Sequence, residues 1–131
     1  MLSMNLPVVP CVVLLEDDPL ARFGQEVLLR DWGYRVVANA SRAGVMDALR
    51  QEDAEVAAII ADFNLGDGET GVEIAHHIAA SASRRIPTVI MSASHGRRSC
   101  ADARAHGFTF LAKPIDPEHL RVWLIKAMTA A

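Results

Sequence analysis

Five short apolar runs recur along this chain: Cys11–Leu15, Tyr34–Ala38, Val56–Ala61, Pro87–Ser92 and Phe108–Ala112. Between and after them lie longer segments whose apolar residues return at helical spacing. Runs this short and this apolar read as strands covered on both faces, not as strands with one face in water. The order is therefore βαβαβαβαβα, which implies a parallel sheet, right-handed crossovers and helices on both sides. The chain has 131 residues, enough for one domain around one core. Its hydrophobic content of 51% is sufficient to cover both faces of such a sheet.

The expected domain is residues 11–131, preceded by an irregular lead, residues 1–10, broken by Pro7 and Pro10. Asp18 reads as a helix cap with Pro19 in the first turn, and Gly33 ends that helix after about Trp32. Its apolar positions Leu20, Phe23, Val27 and Leu28 predict the buried face. Ser41 caps a helix carrying Val45, Met46 and Leu49. A helix over Gly71–Ser81 buries Val72, Ile74, Ala75 and Ile78. Pro117 opens the last helix, where Leu120, Trp123, Leu124 and Ala127 form one stripe. The helix predicted over His95–His106 differs, because its apolar residues are mostly Ala and Cys. It can bury little area and should dock weakly, which suits an element that moves.

A net charge of −3 argues against a nucleic-acid surface, which should be basic. No apolar run approaches the roughly 20 residues of a membrane span. The first ten residues lack the charged start and apolar core of a secretion signal. The expectation is a soluble, cytoplasmic protein that binds neither nucleic acid nor membrane. Cys11 and Cys100 lack the spacing of a metal site and read as free thiols.

Chemistry gathers where the strands end. Glu16-Asp17-Asp18 follows the first run, Asp62 the third, Ser92 closes the fourth, and Lys113-Pro114 follows the fifth. In an open parallel sheet these ends share one edge, where ligands bind. With Asp18 capping the helix, three carboxylates, a hydroxyl and an ammonium then meet in one pocket, a set suited to a metal ion and a phosphoryl group. A hard cation such as Mg²⁺ takes oxygen ligands and keeps several waters. Asp17 and Asp62 are the expected direct ligands, Glu16 acts through a water, and a backbone carbonyl near Asn64 adds an oxygen. Asp62, ending an apolar strand, can be an ionised nucleophile that forms an aspartyl phosphate. Lys113 and the metal would neutralise the phosphoryl oxygens, and the Ser92 hydroxyl can donate to one of them.

The motifs VVLLEDDPL, IIADFNLGDGETG, TVIMSAS and FTFLAKP, in this order and spacing, cover about Cys11 to Ala127. With them the chain resembles the receiver domain of two-component response regulators. The resemblance implies a five-stranded (βα)5 flavodoxin-like fold. It implies a self-catalysed phosphoacceptor switch, not a conventional enzyme, that takes a phosphoryl group from a sensor histidine kinase or a histidine phosphotransfer protein. Asp62 stands at the phosphoacceptor position, and Glu16 and Asp17 at the acidic pair that holds Mg²⁺ (or Mn²⁺) with Asp62 and the Asn64 carbonyl. Lys113 matches the site lysine and precedes Pro114, whose peptide is commonly cis in the family. Ser92 matches the hydroxyl residue that reorients, and Phe110 the aromatic switch position. Asn64 and Ser94 fall where side chains tune loss of the phosphoryl group. The output partner stays open, and the family habit of dimerising through the last helices extends to a possible homodimer, although Trp123 and Leu124 are more simply core residues.

The chain departs from the family in three respects. Gly66 stands where many receivers have Pro, and the loop from Asp62 to Gly71 is one residue longer than the commonest form. Similar loops occur in receivers attached to hybrid histidine kinases. Phe110 lacks the hydroxyl of a Tyr, so a switch there works through packing.

Other readings fit less well. Residues 66–71 match G-x-G-x-x-G but follow the third strand and lack the later acidic residue of a dinucleotide site. Gly66 and Asp67 spoil an EF-hand pattern begun by Asp62 and Asn64. His76 and His77 are adjacent and cannot share one helix face. A haloacid-dehalogenase-like phosphatase would need an Asp at Asn64. A pseudo-receiver that only docks partners would not need the full acidic set with Ser92 and Lys113.

Overall fold

A computed structural model of the chain describes residues 9–66, 68–93 and 96–129. Ten elements alternate: β1 (Cys11–Leu15), α1 (Pro19–Asp31), β2 (Arg35–Asn39), α2 (Arg42–Glu52), β3 (Val56–Asp62), α3 (Gly71–Ala80), β4 (Thr88–Ala93), α4 (Arg97–Ala105), β5 (Thr109–Lys113) and α5 (Pro117–Thr129). The strands form one parallel sheet in the order β2-β1-β3-β4-β5. This is the flavodoxin-like order, with its ligand crevice at the carboxyl ends beside β1 and β3.

Local chemistry starts each helix. The Asp18 carboxylate accepts from Leu20 N at 3.1 Å, with Pro19 at the first turn of α1. Ser41 Oγ accepts from Gly44 N at 3.1 Å to open α2. A reciprocal box of Thr70 and Glu73 opens α3. Helix α4 is the exception: it begins at Gly96 with no side-chain cap.

Two apolar layers flank the sheet. Val13, Leu15, Ile59, Ala61 and Ile90 pack against α2, α3 and α4, with Val45, Val72, Ile78 and Ala103 facing them. Val12, Leu14, Ile60, Val89 and Met91 pack on the other side against α1 and α5, with Leu29, Leu120 and Leu124. The expected cores of α2, α3 and α5 agree in Val45, Val72, Ile74, Ala75, Ile78, Leu120 and Leu124. Strands β2, β4 and β5 each lie one residue later than the apolar runs suggest. Helix α4 is shorter at both ends than the stretch His95–His106, and His95 lies outside the described residues.

Helix α1 requires a correction. Leu20, Phe23 and Val27, expected to face the core, are 81%, 65% and 50% exposed. The helix instead turns Leu29 inward, flanked by half-buried Ala21, Gln25, Leu28 and Trp32. The sequence thus carries two apolar faces on α1. The one that packs is disguised by a small residue, Ala21, and a polar one, Gln25.

Candidate functional site

Register brings the four strand-end landmarks together. Leu15 pairs with Ala61, so Glu16 and Asp62 follow side by side on neighbouring strands. Asp62 pairs with Met91, directly before Ser92, and Ala93 pairs with Lys113. Lys113 Nζ donates to Asp62 Oδ2 at 2.7 Å and lies 4.0 Å from Glu16 Oε1. Carboxylate oxygens of Glu16, Asp17 and Asp62 stand within 4.8 Å of one another. Glu16, Asp62 and Ser92 are buried, whereas Asp17 reaches solvent. The peptide between Lys113 and Pro114 is cis.

The charges are unbalanced: three carboxylates face one ammonium. Burial first, and then the adjacent Asp62 carboxylate, push the Glu16 carboxyl up to about 7, against the opposing pull of Lys113. For Lys113, burial works to lower its basicity, but the hydrogen bond and charge of Asp62, with Glu16 and Asp17 behind them, leave it raised. Glu16 Oε2 is buried without a hydrogen-bond partner. A buried acceptor lacking a donor beside two more carboxylates is a donor set that fits a hard divalent cation.

Backbone geometry shapes the rim. Gly71 N donates to Phe63 O at 2.9 Å, and Asn64 bridges to Thr70, folding the loop back on the end of β3. A Cβ on Gly71 would stand 2.0 Å from the Asp62 carbonyl oxygen, so only glycine fits there. Gly66 adopts φ +80, and its missing Cβ would lie 3.2 Å from Asp17 Oδ2. Behind Ser92, a Cβ on Gly96 would come within 3.0 Å of the hydroxyl oxygen. Arg22, on α1, donates through Nη1 to the Glu16 carbonyl at 3.0 Å and steadies the acidic turn.

Asn64 is exposed at the rim, and Phe110 is half-buried on β5 against the α4-side core. Ser94 lies outside the described residues. Arg22, Gly71 and Gly96 belong to the site beyond the residues that the strand ends predict. The closing Gly of the 66–71 pattern was a usable signal for Gly71, while no motif marks Arg22. Cys11 and Cys100 are free, and burial pushes the Cys11 thiol up.

A groove of about 660 Å³ leads away from Glu16 and Lys113 between α1 and α5. Gly24 and Leu28 form one wall, and Ile115 and Leu120 the other. The exposed Leu20 and Phe23 belong to the same helix, just past its Asp18 cap.

A doubly wound sheet carries at its carboxyl edge three carboxylates that could hold a metal ion, beside a lysine and a buried serine. The family model described as the response regulator receiver domain matches residues 12–124, and the chain belongs to that family. It is 22% identical over 117 residues to the phyllosphere-induced regulator PhyR of Methylorubrum extorquens, covering 89% of this chain and 43% of that protein. It is 25% identical over 112 residues to the two-component response regulator PprB of Pseudomonas aeruginosa, covering 83% of this chain and 40% of that one. The chain thus spans less than half the length of these curated relatives. Among solved structures, a response regulator receiver domain protein from Clostridium thermocellum superposes with a TM-score of 0.79 at 16% identity, covering 92% of this chain and 94% of that one. The receiver domain of a sensor histidine kinase from Pseudomonas aeruginosa, described with a magnesium ion coordinated in its active site cleft, gives 0.75 at 25% identity, covering 94% and 100%. The chain is a receiver domain of two-component signalling. Among the described residues no helix is long and apolar enough to cross a membrane.

Proposed function

We propose that this receiver domain accepts a phosphoryl group on Asp62 from a phosphohistidine, in a site that binds Mg²⁺ (or Mn²⁺). The observation that carries this reading is the 2.7 Å pair of Lys113 and Asp62 at the mouth of a buried carboxylate cluster. Glu16, Asp17, Asp62 and the Asn64 carbonyl would hold the cation. When bound it supplies positive charge against the phosphoryl oxygens.

The chain's own residues do the rest. Lys113 fixes Oδ2 of Asp62 and leaves the other carboxylate oxygen to attack phosphorus. The P–N bond of the donor breaks as the O–P bond forms, and its electron pair leaves with the imidazole. Lys113 is then placed to follow the new negative charge. Ser92, now packed beside Gly96, would turn its hydroxyl toward the phosphoryl group. Phe110 would follow into the space on the α4 side. Asn64 and Ser94 would set how readily water reaches the acyl phosphate.

The donor must bring an imidazole to Asp62 and so must cover the edge around it. The apolar groove between α1 and α5 and the exposed face of Leu20, Phe23 and Val27 suit an amphipathic helix of a histidine kinase or phosphotransfer protein. The test is transfer from a labelled phosphohistidine protein. The parent should take the label and Asp62→Asn should not; equal labelling of both would overturn the assignment of Asp62.

A further inference from the structure

Away from the acidic site, His76 on α3 and His106 at the end of α4 meet edge-on across two elements. Their ring centroids are 5.2 Å apart and their planes meet at 65°. Both residues are exposed to solvent. His106 Nδ1 lies 2.9 Å from the Asp102 carbonyl oxygen. A carbonyl only accepts, so Nδ1 is the donor in this bond, and Nε2 is the nitrogen left to ligate. Donation of the second ring nitrogen to a carbonyl is the support commonly found behind a metal-binding histidine. Phe108 stacks on the His106 ring, centroids 5.7 Å apart and planes at 24°, and limits its rotation.

The spacing is informative. With Zn–N bonds of about 2.0–2.1 Å, two imidazoles on one tetrahedral ion place their centroids roughly 5 Å apart. We propose that His76 and His106 bind a first-row transition cation of the Zn²⁺ or Cu²⁺ type, with water completing the coordination. Imidazole nitrogens select such ions, whereas the carboxylates of Glu16, Asp17 and Asp62 select hard ones, so the two sites sort cations by chemistry. The Asp102 carboxylate lies 3.8 Å from His106 Nδ1, the protonated side, and orients the ring without ligating. The site is therefore a two-histidine clip that joins α3 to α4. Helix α4 fully buries only Ser99 and Ala103 and has no side-chain cap, so a clip there holds a weakly docked element. That consequence rests on the phosphoacceptor reading; the binding itself does not.

The test is calorimetric titration of Zn²⁺ into the full chain carrying Asp62→Asn, which removes one carboxylate of the acidic site, with excess Mg²⁺ competing for those that remain. One equivalent should bind. Adding His76→Ala or His106→Gln should weaken binding by no less than the roughly tenfold that loss of a supporting partner alone costs. His77→Ala, on the neighbouring face of α3, should bind as the parent does. Circular dichroism confirms that each variant is folded. Parent-like affinity in folded His76→Ala, or an equal loss in His77→Ala, overturns the proposal.

Discussion

At the scale of single residues, Glu16 is the most constrained group. Its carboxyl is held up to about 7, whereas an ordinary glutamate loses its proton near 4.5. Between those values the folded chain binds more protons than the unfolded one. The associated stability is complete below about 4.5 and is lost as pH rises through about 7. In chelator, the urea midpoint of the parent should fall between about pH 4.5 and 7 relative to Glu16→Gln; identical profiles would remove the argument. Mg²⁺ affinity should rise over the same window, because the proton must leave before the carboxylate can serve a cation. Asp62 was legible in the sequence because it ends an apolar strand with a charge that burial would otherwise forbid, and Asp17 and Lys113 because they stand just past the ends of other apolar strands. The depth of Glu16 was not legible. It depends on neighbours distant in sequence, with Asn39 O accepting from Glu16 N and Lys113 approaching its carboxylate, and nothing local to Glu16-Asp17-Asp18 shows it.

At the scale of elements, the glycines separate packing from propensity. Gly71→Ala should cost about 1–3 kcal/mol by overpacking against the β3 backbone. Gly24→Ala, in the middle of α1 with open space around it, should add about 0.5–1 kcal/mol of stability. Denaturant melts measure both, and the reversed order would contradict the account. Helix α1 is where the structure departs most from the sequence pattern. Periodicity finds an apolar stripe but not which of two stripes packs, because the sheet accepts whichever face lets Leu29 and Trp32 reach it. Substituting Leu20 and Phe23 by Ser should therefore leave stability within about 0.5 kcal/mol per site, while slowing transfer from a phosphohistidine protein and leaving small phosphodonors unaffected. An equal loss with both donors would place the defect in the chemistry and not in docking.

At the scale of the whole molecule, the parallel sheet and its shared edge followed from alternation, because parallel strands joined by right-handed crossovers must end together, whereas the flavodoxin-like strand order came only with the family resemblance. What alternation could not supply is the relation between distant helices. The pairing of His76 with His106, the cation–π contact of Arg121 over Trp32 at 5.7 Å, and the α1–α5 groove all join residues with no common motif. A switch needs two global states that differ in their stabilisation by the phosphoryl group. Under the proposed function, Phe110, half-buried against the core on the α4 side, would couple them. Phe110→Ala should leave phosphorylation nearly intact and make partner affinity the same with and without the phosphoryl group.

The central claim is that Asp62 is a metal-assisted phosphoacceptor, and intact mass after incubation with acetyl phosphate tests it most directly. With Mg²⁺ the parent should gain one phosphoryl group, and the adduct should vanish in chelator and in Asp62→Asn. A folded parent that gains nothing, or an adduct that persists in Asp62→Asn, would contradict the account.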